Sequence, residues 1–466
     1  MFNYLLKRLN KNIYACFSIK PFIIFKNFVK KKYLFCQKSY IMATIRPFRA
    51  WRYAPHLYPQ IGELTSPLFD VVSAKQRQKL YQHPHNSIHL SVPQCQTPEK
   101  TAGQCALDKI NHWKATGVLV QDKQPAVYVY YQYFFLPDSK KEYCRKGFIT
   151  LIKATDWEEN IVLRHENTIP HAVNDRIELL ATTLFHASAT HGLYTDPAHE
   201  LEVLMDEAMQ NPVYEAEDYQ GVRDVLAVIT APEKVQAFVQ KLAPQQIILA
   251  DGHHRYESSL ALKHRMQAQN PHHTGEELYN YHLMYLTNSA SDDLRILPTH
   301  RLVVGLPQFD ETDLLNRMQE YFTVKEVENA TDLPEVIAGK KWTFGILLGE
   351  KAYKIKLKTE AFNTLHWAFP DVVKEIDLTV MHYFIIYKLL GIKGKDQRST
   401  PYLRFERNFA ECLRLVAKQE IQMAVITNEV AIEDVKKVCQ SGFTMPQKST
   451  YFYPKVICGF AFAEIR

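Results

Sequence analysis

Glycine is scarce in this chain, which has 16 glycines among its 466 residues. No Gly-x-x-x-x-Gly-Lys-Ser/Thr segment and no Gly-x-Gly-x-x-Gly segment occurs in it. These segments form the usual phosphate-binding loops of mononucleotide- and dinucleotide-binding folds, because glycine lets the backbone approach the phosphates closely. The sequence therefore excludes the common nucleotide-binding signatures, and any phosphate site must be built in another way.

The chain also lacks long apolar runs and paired cysteines. Near the N-terminus, apolar stretches such as 21–25 are broken by lysines and stay far below the roughly 20 residues that span a bilayer. The eight cysteines include no Cys-x-x-Cys pair, and their spacing fits neither a zinc knuckle nor a disulfide framework. We therefore expect no membrane partner, and a cytoplasmic protein whose cysteines are reduced thiols.

Acidic residues are missing from the first 41 positions, which carry nine lysines or arginines. This pattern predicts an unstructured basic leader over residues 1–41, either a targeting peptide or a stretch upstream of a start at Met42, which we favour. Subtracting those nine from the total of 56 bases leaves 47 bases against 50 acids, a net charge of −3 for the rest of the chain. A body of that charge has no electrostatic footprint for a phosphate backbone, so we do not expect nucleic-acid binding.

Beyond the leader, the apolar periodicity alternates between helical and strand spacing. Strands are predicted at 126–136, 147–153, 247–250, 279–287, 342–348, 352–357, 421–426 and 456–462. Helices are predicted between them, among others at 176–183, 256–268 and 378–390. This interleaving indicates a mixed α/β fold. A boundary near residue 305 divides it into a first domain, 42–305, and a C-terminal α/β portion, 306–466, that packs on the same site.

The sharpest local signal is a short apolar strand that runs into a polar turn and then a helix. The turn reads Asp251-Gly252-His253-His254-Arg255. A glycine turn at the start of a helix presents backbone N–H groups and the positive end of the helix dipole, which together bind anions. The histidines and the arginine add side-chain donors, and Arg255 can grip phosphate oxygens with two bonds. Asp251 could cap the helix, orient a histidine or hold a metal ion, and the plainer alternative is a capping aspartate beside solvated histidines.

Three other polar segments carry candidate side chains. The first has a carboxylate, Glu166, in a polar break where it could serve as a general base or a metal ligand. The second sets two lysines, Lys448 and Lys455, around an aromatic run, where they could hold a charged substrate. The third offers polar donors after a strand, at Thr299, His300 and Arg301. Taken singly, each segment is explained equally well as a loop without function.

Together, the turn and these segments resemble a known family. The turn is similar to the phosphate-binding turn of the ParB/sulfiredoxin-like superfamily, which includes ParB nucleotidases, sulfiredoxin and free-serine kinases. Across nearly the whole body, the chain resembles domain of unknown function family 1015. The shared landmarks are IRPFRA at 45–50, HENT at 165–168, DRIELL at 175–180, DGHHRY at 251–256, LPTHR at 297–301 and MPQKSTYFYPK at 445–455. The resemblance implies a ParB/sulfiredoxin-like core in residues 42–305, elaborated with additional strands and helices.

Two segments depart from the family pattern. Residues 66–71 read SPLFDV where many members have PPYDV. Residues 185–188 read FHAS where others often carry an Asn and a Ser-Pro pair. We expect neither departure to touch the turn.

Three functions follow from these features: a phosphotransferase acting on a small hydroxyl metabolite, as serine kinases with this turn do; a ParB-like nucleotide-binding or nuclease protein of DNA partitioning; and a non-catalytic binding protein for a phosphorylated metabolite. We favour the first, with ATP, ADP or pyrophosphate as phosphate donor and Mg²⁺ at Asp251. Glu166 would accept the proton of the attacking hydroxyl, with Asp251 and His253 as further catalytic groups. The phosphates would bind Gly252, His253, His254, Arg255, Lys448 and Lys455. The small-molecule substrate would contact His165, Arg176, Thr299, His300 and Arg301.

Overall fold

The computed structural model describes residues 43–466 except 96–97, 137–138, 169, 395–396, 398–399 and 447, and it describes only the backbone of 170–173. The predicted leader, residues 1–41, lies outside the described residues. Residues Ala43–Arg466 form one compact unit. The predicted boundary near residue 305 stays a prediction.

The described residues contain twenty-one strands and fifteen α-helices. The strands are β1 Ile45–Arg46, β2 Trp51–Tyr53, β3 Leu119–Gln121, β4 Val127–Phe135, β5 Glu142–Lys153, β6 Val162–Arg164, β7 Phe185–His186, β8 Thr190–Tyr194, β9 Tyr214–Glu217, β10 Arg223–Ile229, β11 Ile247–Asp251, β12 Tyr281–Asn288, β13 Arg295–Leu297, β14 His300–Val303, β15 Phe322–Val327, β16 Thr343–Leu348, β17 Lys351–Leu357, β18 Leu403–Glu406, β19 Met423–Ile426, β20 Tyr451–Tyr453 and β21 Ala463–Glu464. The α-helices are α1 Ile61–Leu64, α2 Ala74–Leu80, α3 Ile88–Ser91, α4 Ala102–Ala115, α5 Pro170–Thr183, α6 Glu200–Ala208, α7 Pro232–Leu242, α8 His253–Gln269, α9 Glu311–Tyr321, α10 Leu333–Ile337, α11 Thr359–Phe362, α12 Asp371–Lys374, α13 Asp377–Met381, α14 Phe409–Ala417 and α15 Ile432–Ser441.

A large sheet of nine strands organises the first part of the fold. Its order is β6-β11-β8-β12-β5-β4-β10-β9, and β1 also pairs with β5. Two pairs are parallel, β11 with β6 and β12 with β8, and the others are antiparallel. Helices connect several of these strands. The mixed α/β class predicted from the sequence is therefore confirmed.

A small sheet of six antiparallel strands organises the rest, in the order β15-β17-β16-β19-β14-β18. The chain then returns to its beginning, because β20 pairs with β13 and β21 pairs with β7. Residues near the C-terminus therefore lie beside elements from the first half of the chain.

Strand β11 shows how the two sheets share a core. Ile247 and Leu249 pack into the cluster on one face of the large sheet. Ile248 and Ala250 belong to the cluster that fills the small sheet and its helices. Because alternate side chains of a strand point to opposite faces, a strand buried on both sides needs an unbroken apolar run, which Ile247–Ala250 supplies.

One sequence-based expectation about local structure is wrong, and another is confirmed as a helix but not as an α-helix throughout. The apolar run 456–462 is not a strand: Gly459 has a φ of 115°, which breaks the run, and only Cys458 and Phe462 make isolated bridges, to Ser66 and Trp51. The predicted helix at 378–390 is α13 followed by a π-helix, His382–Leu389. Both runs are buried, so apolar composition alone did not reveal their backbone.

The expectation of reduced thiols throughout is also wrong. Cys95 and Cys105 form a disulfide, with their Cα atoms 5.8 Å apart. Thr101 caps α4 through the backbone N–H of Gln104, which places Cys105 in the first turn of that helix. The sequence rule failed because a single pair ten residues apart matches no known disulfide framework.

In the part of the chain that the structure describes, no helix is long and apolar enough to cross a membrane.

Candidate functional site

The polar turn lies where β11 ends and α8 begins. The pairing of β11 with β8 shifts register between Leu249 and Asp251, so the strand ends in an irregularity at the turn. Gly252 has a φ of 90°. A Cβ atom there would lie 2.6 Å from Cγ2 of Thr190. Only glycine fits this position, both because the backbone is left-handed and because the space is filled.

Helix α8 begins without a side-chain cap. Gly252 is its N-cap residue, and no described side chain bonds the cap position. The helix is 17 residues long, so its dipole is fully developed at the turn. This end of α8 is therefore suited to an anion.

Asp251 is held by two cations. Its Oδ1 lies 2.5 Å from Nζ of Lys455, and its Oδ2 lies 3.2 Å from Nη2 of Arg255. Burial alone would raise the pKa of Asp251, but the charges of Lys455 and Arg255 outweigh it and hold that pKa well below its usual value. Asp251 is therefore ionised at neutral pH, and its charge is already compensated.

Arg255 ties the turn to the neighbouring strand. Its Nη1 donates to Oγ of Ser188 at 3.1 Å and to the Ala189 carbonyl at 2.6 Å. With the bond to Asp251, this leaves its terminal nitrogens directed at the protein. A two-bond grip on phosphate, as predicted from the sequence, would have to replace these contacts.

A cleft of about 340 Å³ opens in front of the turn, within the range of small-ligand sites. It brings together most of the predicted phosphate-binding and catalytic residues, together with one predicted substrate contact. These are Glu166, Asp251, Gly252, His253, His254, Arg255, Thr299, Lys448 and Lys455. Residues nearly 300 positions apart in the sequence thus share one cleft.

Glu166 and Lys448 are linked through the backbone. Oε1 of Glu166 accepts a hydrogen bond from the backbone N–H of Lys448 at 3.2 Å. Burial raises the pKa of Glu166, although the N–H and the charge of Lys448 pull it the other way. A carboxyl group whose pKa rises toward neutral pH is a better general base. Glu166 therefore holds the Lys448 loop and remains a candidate for proton transfer.

His253 is the first residue of α8 and lines the cleft. It is 7% exposed, and its Nε2 has no hydrogen-bond partner among the described residues. Burial lowers the pKa of His253 well below its usual value, and the neighbouring His165 lowers it further. The ring is therefore neutral, with a nitrogen still to be satisfied beside the helix N-terminus.

Four predicted substrate contacts do not line this cleft. His165 is buried behind it, where its Nε2 lies 2.7 Å from Oγ1 of Thr450 and its ring meets that of His253 edge to face. His300 accepts a hydrogen bond from the backbone N–H of Thr427. Arg301 is fully buried and donates to the Thr299 and Lys448 carbonyls. These three support the walls of the cleft.

Arg176 is the fourth of these residues. It lines a smaller recess next to the cleft, and its guanidinium lies 4.5 Å from the ring of Phe69. Its Nη1 donates to the Ser91 carbonyl at 2.7 Å.

The family departures do touch the site, contrary to expectation. Phe69, Asp70 and Val71 of the first departure line the cleft. Ser188 of the second accepts the hydrogen bond from Arg255. Distance along the sequence misled the prediction, because Ser188 directly precedes β8, which pairs with β11 in the large sheet next to the turn.

Sequence analysis missed one wall of the cleft altogether. It is formed by Phe405, Glu406 and Arg407, at the end of β18, and it meets Tyr451 of the landmark at 445–455. The Arg407 guanidinium lies 4.0 Å from the Tyr451 ring, and Nζ of Lys455 lies 4.4 Å from the same ring. Asn167 and Thr450, which also line the cleft, belong to landmarks already singled out. Nothing in the local sequence around Phe405 indicated that β18 would reach the turn.

The donor set at the turn does not fit a metal ion held by the protein. Both oxygens of Asp251 face cations, and the positive charges of Lys455 and Arg255 already compensate the carboxylate and would repel a metal ion beside it. The described residues include no group of three or more His, Cys, Asp or Glu side chains that could hold a metal. The predicted Mg²⁺ at Asp251 is therefore unsupported.

Sequence comparison identifies the family. The family model described as protein of unknown function DUF1015 matches residues 45–379. The chain belongs to this family, which confirms the resemblance seen in the landmarks. No curated protein matches the sequence.

Several solved structures are distantly similar to this fold. One is a mutant of a free serine kinase in complex with AMP, with 12% identity and a TM-score of 0.35, covering 72% of this chain and 95% of that chain. A conserved hypothetical protein from Pyrococcus furiosus has 13% identity and a TM-score of 0.32, covering 66% of this chain and 92% of that one. C-terminally truncated SbnI from Staphylococcus aureus has 10% identity and a TM-score of 0.32, covering 67% and 86%.

Proposed function

We propose that this protein is a phosphotransferase. It holds the phosphates of ATP, ADP or pyrophosphate in the cleft and passes a phosphoryl group to a small hydroxyl compound. The observation that carries the proposal is the meeting, in one cleft, of an uncapped helix start, the cationic side chains of Lys448, Lys455 and Arg407, and the Glu166 carboxyl. Phosphoryl transfer depends on positioning and charge neutralisation, which these groups supply.

The phosphates would lie against the start of α8. Gly252 allows close approach of the backbone, and Nε2 of His253 offers a buried nitrogen without a partner among the described residues. Lys448 and Arg407 bring positive charge from the opposite wall. Asp251 then positions Lys455 and Arg255 rather than binding a metal, which changes the role first assigned to it.

Glu166 would accept the proton of the attacking hydroxyl. Burial raises its pKa, and its hydrogen bond to the Lys448 backbone fixes its place at the cleft. The same hydrogen bond fixes the backbone of Lys448. Contact between the Lys448 side chain and a phosphate would therefore be coupled to the position of the Glu166 carboxyl group.

A non-catalytic phosphate-binding protein is the second candidate. It is favoured by the pairing of both Asp251 oxygens and by the hydrogen bond that already engages Glu166. Such a site binds an anion without needing a free base. No observation on this structure favours the DNA-partitioning alternative, and the body carries the net charge of −3 noted above.

The Glu166→Gln variant separates the two candidates. For a phosphotransferase, we expect turnover to fall by roughly two to four orders of magnitude while donor binding stays within a few-fold, because Gln keeps the shape and loses the proton acceptor. Phosphorus NMR would follow ATP, ADP or pyrophosphate with a panel of sugars, hydroxy acids and amino acids. Calorimetry with the same donors would measure binding.

Glu178→Gln serves as the matched control, because Glu178 has a mostly exposed side chain (72%). The Glu178→Gln variant should change neither turnover nor donor binding. Donor binding without turnover for any acceptor of the panel in the wild type would favour the binding protein. Absence of donor binding would contradict both candidates.

A further inference from the structure

A smaller recess adjoins the cleft. It has a volume of about 60 Å³ and shares Phe69 and Arg255 with the cleft. One buried water needs about 10–15 Å³ of such space, so the recess accommodates roughly four to six non-hydrogen atoms. A molecule in it would therefore be small and would lie next to the phosphate groups of the cleft.

Two buried polar atoms in the recess have no hydrogen-bond partner in the described part of the chain. They are Oγ of Ser91 and Nε2 of His186, and both residues are 5% exposed. Leaving a buried polar atom unpaired is unfavourable. Both residues line the recess, so a molecule bound there could supply the missing partner.

The surroundings of Ser91 favour a carboxylate. Arg176 donates to the Ser91 carbonyl and lines the same recess. Its acidic partner is the adjacent Asp175, whose side chain is 63% exposed while that of Arg176 is 13% exposed, so Asp175 can turn to solvent when another carboxylate takes its place. A single carboxylate could accept hydrogen bonds from the Arg176 guanidinium and from the Ser91 hydroxyl at the same time.

His186 favours a donor instead. Burial lowers the pKa of His186 to about 4, so its ring is neutral and one of its two nitrogens is an acceptor. A hydroxyl or an ammonium group can donate to Nε2 when that nitrogen is the acceptor. Leu90, Ile110 and Leu179 form the apolar side of the recess, which leaves room for a short carbon chain.

We propose that the recess binds a small carboxylate compound that also carries a hydroxyl or ammonium group. The carboxylate lies against Arg176 and Oγ of Ser91, and the second group donates to Nε2 of His186. The proposal that such a compound binds rests only on the residues that line the recess. That the bound compound is the phosphoryl acceptor rests on the proposed function.

The test uses four matched probes with the full chain. Glycolate and glycine carry both groups, acetate lacks the donor, and ethylene glycol lacks the carboxylate. We expect calorimetry or ligand-detected NMR to show glycolate or glycine binding at least about tenfold more tightly than acetate and ethylene glycol, because only these compounds satisfy both sides of the recess. Equal affinities for all four, or no binding of any, would overturn the proposal.

Two variants and a control assign the binding to the recess. Arg176→Gln should weaken binding of the favoured probe by about tenfold or more. Ser91→Ala should weaken it too, yet without ligand it should keep or raise the melting temperature, because it removes an unsatisfied hydroxyl. Arg265→Gln, at a side chain that is 51% exposed, should change nothing. Unchanged binding in both recess variants would contradict the assignment.

The outcomes also separate this proposal from the phosphotransferase function. If a probe binds in a way that depends on Arg176 but no phosphoryl transfer is detected, the proposed binding in the recess stands and the phosphotransferase function is contradicted. Phosphoryl transfer to an acceptor whose KM is unchanged in Arg176→Gln and Ser91→Ala would support the enzyme and overturn the claim that the recess binds the acceptor.

Discussion

Asp251 and Asp224 are both aspartates of the large sheet with little or no exposure, and their pKa values shift in opposite directions. Asp251 touches Lys455 and Arg255 directly, and its pKa is held low. Asp224, on β10, is fully buried and accepts hydrogen bonds from Tyr130 Oη at 2.5 Å and Gln132 Nε2 at 2.8 Å. Burial raises the pKa of Asp224 to about 8 despite these bonds.

The comparison shows what keeps a buried carboxylate ionised in this fold. Arg145 is close to Asp224 but donates to Oε1 of Gln132. A neutral amide therefore lies between the Arg145 guanidinium and the Asp224 carboxyl group. Direct contact with a cation, rather than the presence of one nearby, decides the charge. Gln132 also donates to the Lys455 carbonyl at 3.0 Å, so the neutral cluster supports the segment that carries the charged site.

We expect the largest effect from replacing the two aspartates, Asp251 and Asp224, in turn. Asp251→Asn leaves Lys455 and Arg255 facing each other without compensation, so we expect a loss of about 3 kcal/mol or more of unfolding free energy. Asp224→Asn resembles the protonated acid already present at pH 7 and should cost less than about 1 kcal/mol. Urea denaturation of both variants measures the difference. Equal losses would show that the two aspartates have the same charge state.

A second comparison sets two left-handed glycines against each other. Gly252 and Gly442 both have positive φ, of 90° and 72°. A Cβ at Gly252 meets Thr190, whereas one at Gly442 meets no described atom within 4 Å. We expect Gly252→Ala to cost about 2–4 kcal/mol, from backbone strain plus overpacking, and Gly442→Ala about 1 kcal/mol, from strain alone.

Melting temperature and donor binding would be measured for both glycine variants. Only the Gly252 substitution should also weaken donor binding. If the Gly442 variant weakened it equally, the anion site would not lie at the start of α8.

The pH dependence of stability isolates Asp224. Its folded pKa of about 8 lies above the value in the unfolded chain. Between these values the folded state binds one more proton, so its contribution to stability falls as pH rises, by up to about 1.4 kcal/mol per pH unit. Asp224→Asn should therefore gain stability relative to the wild type between pH 5 and pH 8. A constant difference over that range would contradict the raised pKa.

Buried histidines should act in the opposite direction. Burial lowers the pKa of His165 and His186 to about 4 and that of His382 to about 3. The unfolded chain binds protons at these residues near pH 6.5 while the folded chain does not, so stability falls as pH drops from about 6.5 toward 4. His382→Gln should reduce that slope by at most one proton, measured by urea denaturation at pH 7 and pH 5. A slope identical to the wild type would mean that His382 is charged in the fold.

The turn was predictable from the sequence because its cause is local. An apolar run, an Asp-Gly pair and a helical pattern follow one another within 20 residues, and each step has a short-range reason. Lys448, Lys455 and Glu166 entered the prediction through polar landmarks, and the structure brings them to the same cleft. Their roles stay predictions.

What the sequence did not reveal depends on packing between distant elements. Arg407 reaches the cleft only because β18 lies at the edge of the small sheet, beside β14. His300 and Arg301 had the composition of a binding segment, but β14 is paired on both sides and therefore buried. Phe69 and Ser188 looked remote from the turn along the sequence, but Ser188 precedes β8, which the large sheet pairs with β11, and Phe69 lines the same cleft.

The return of the C-terminal segment to the large sheet sets an order of assembly during synthesis. Asp251 and Lys455 are 204 residues apart in the chain, and translation proceeds at about 5–20 residues per second. A nascent chain that has already formed the large sheet thus spends on the order of ten seconds or more with Asp251 lacking its lysine. Until Lys448 and Lys455 emerge from the ribosome, the turn exists without its opposite wall, so the cleft in front of it is not yet formed.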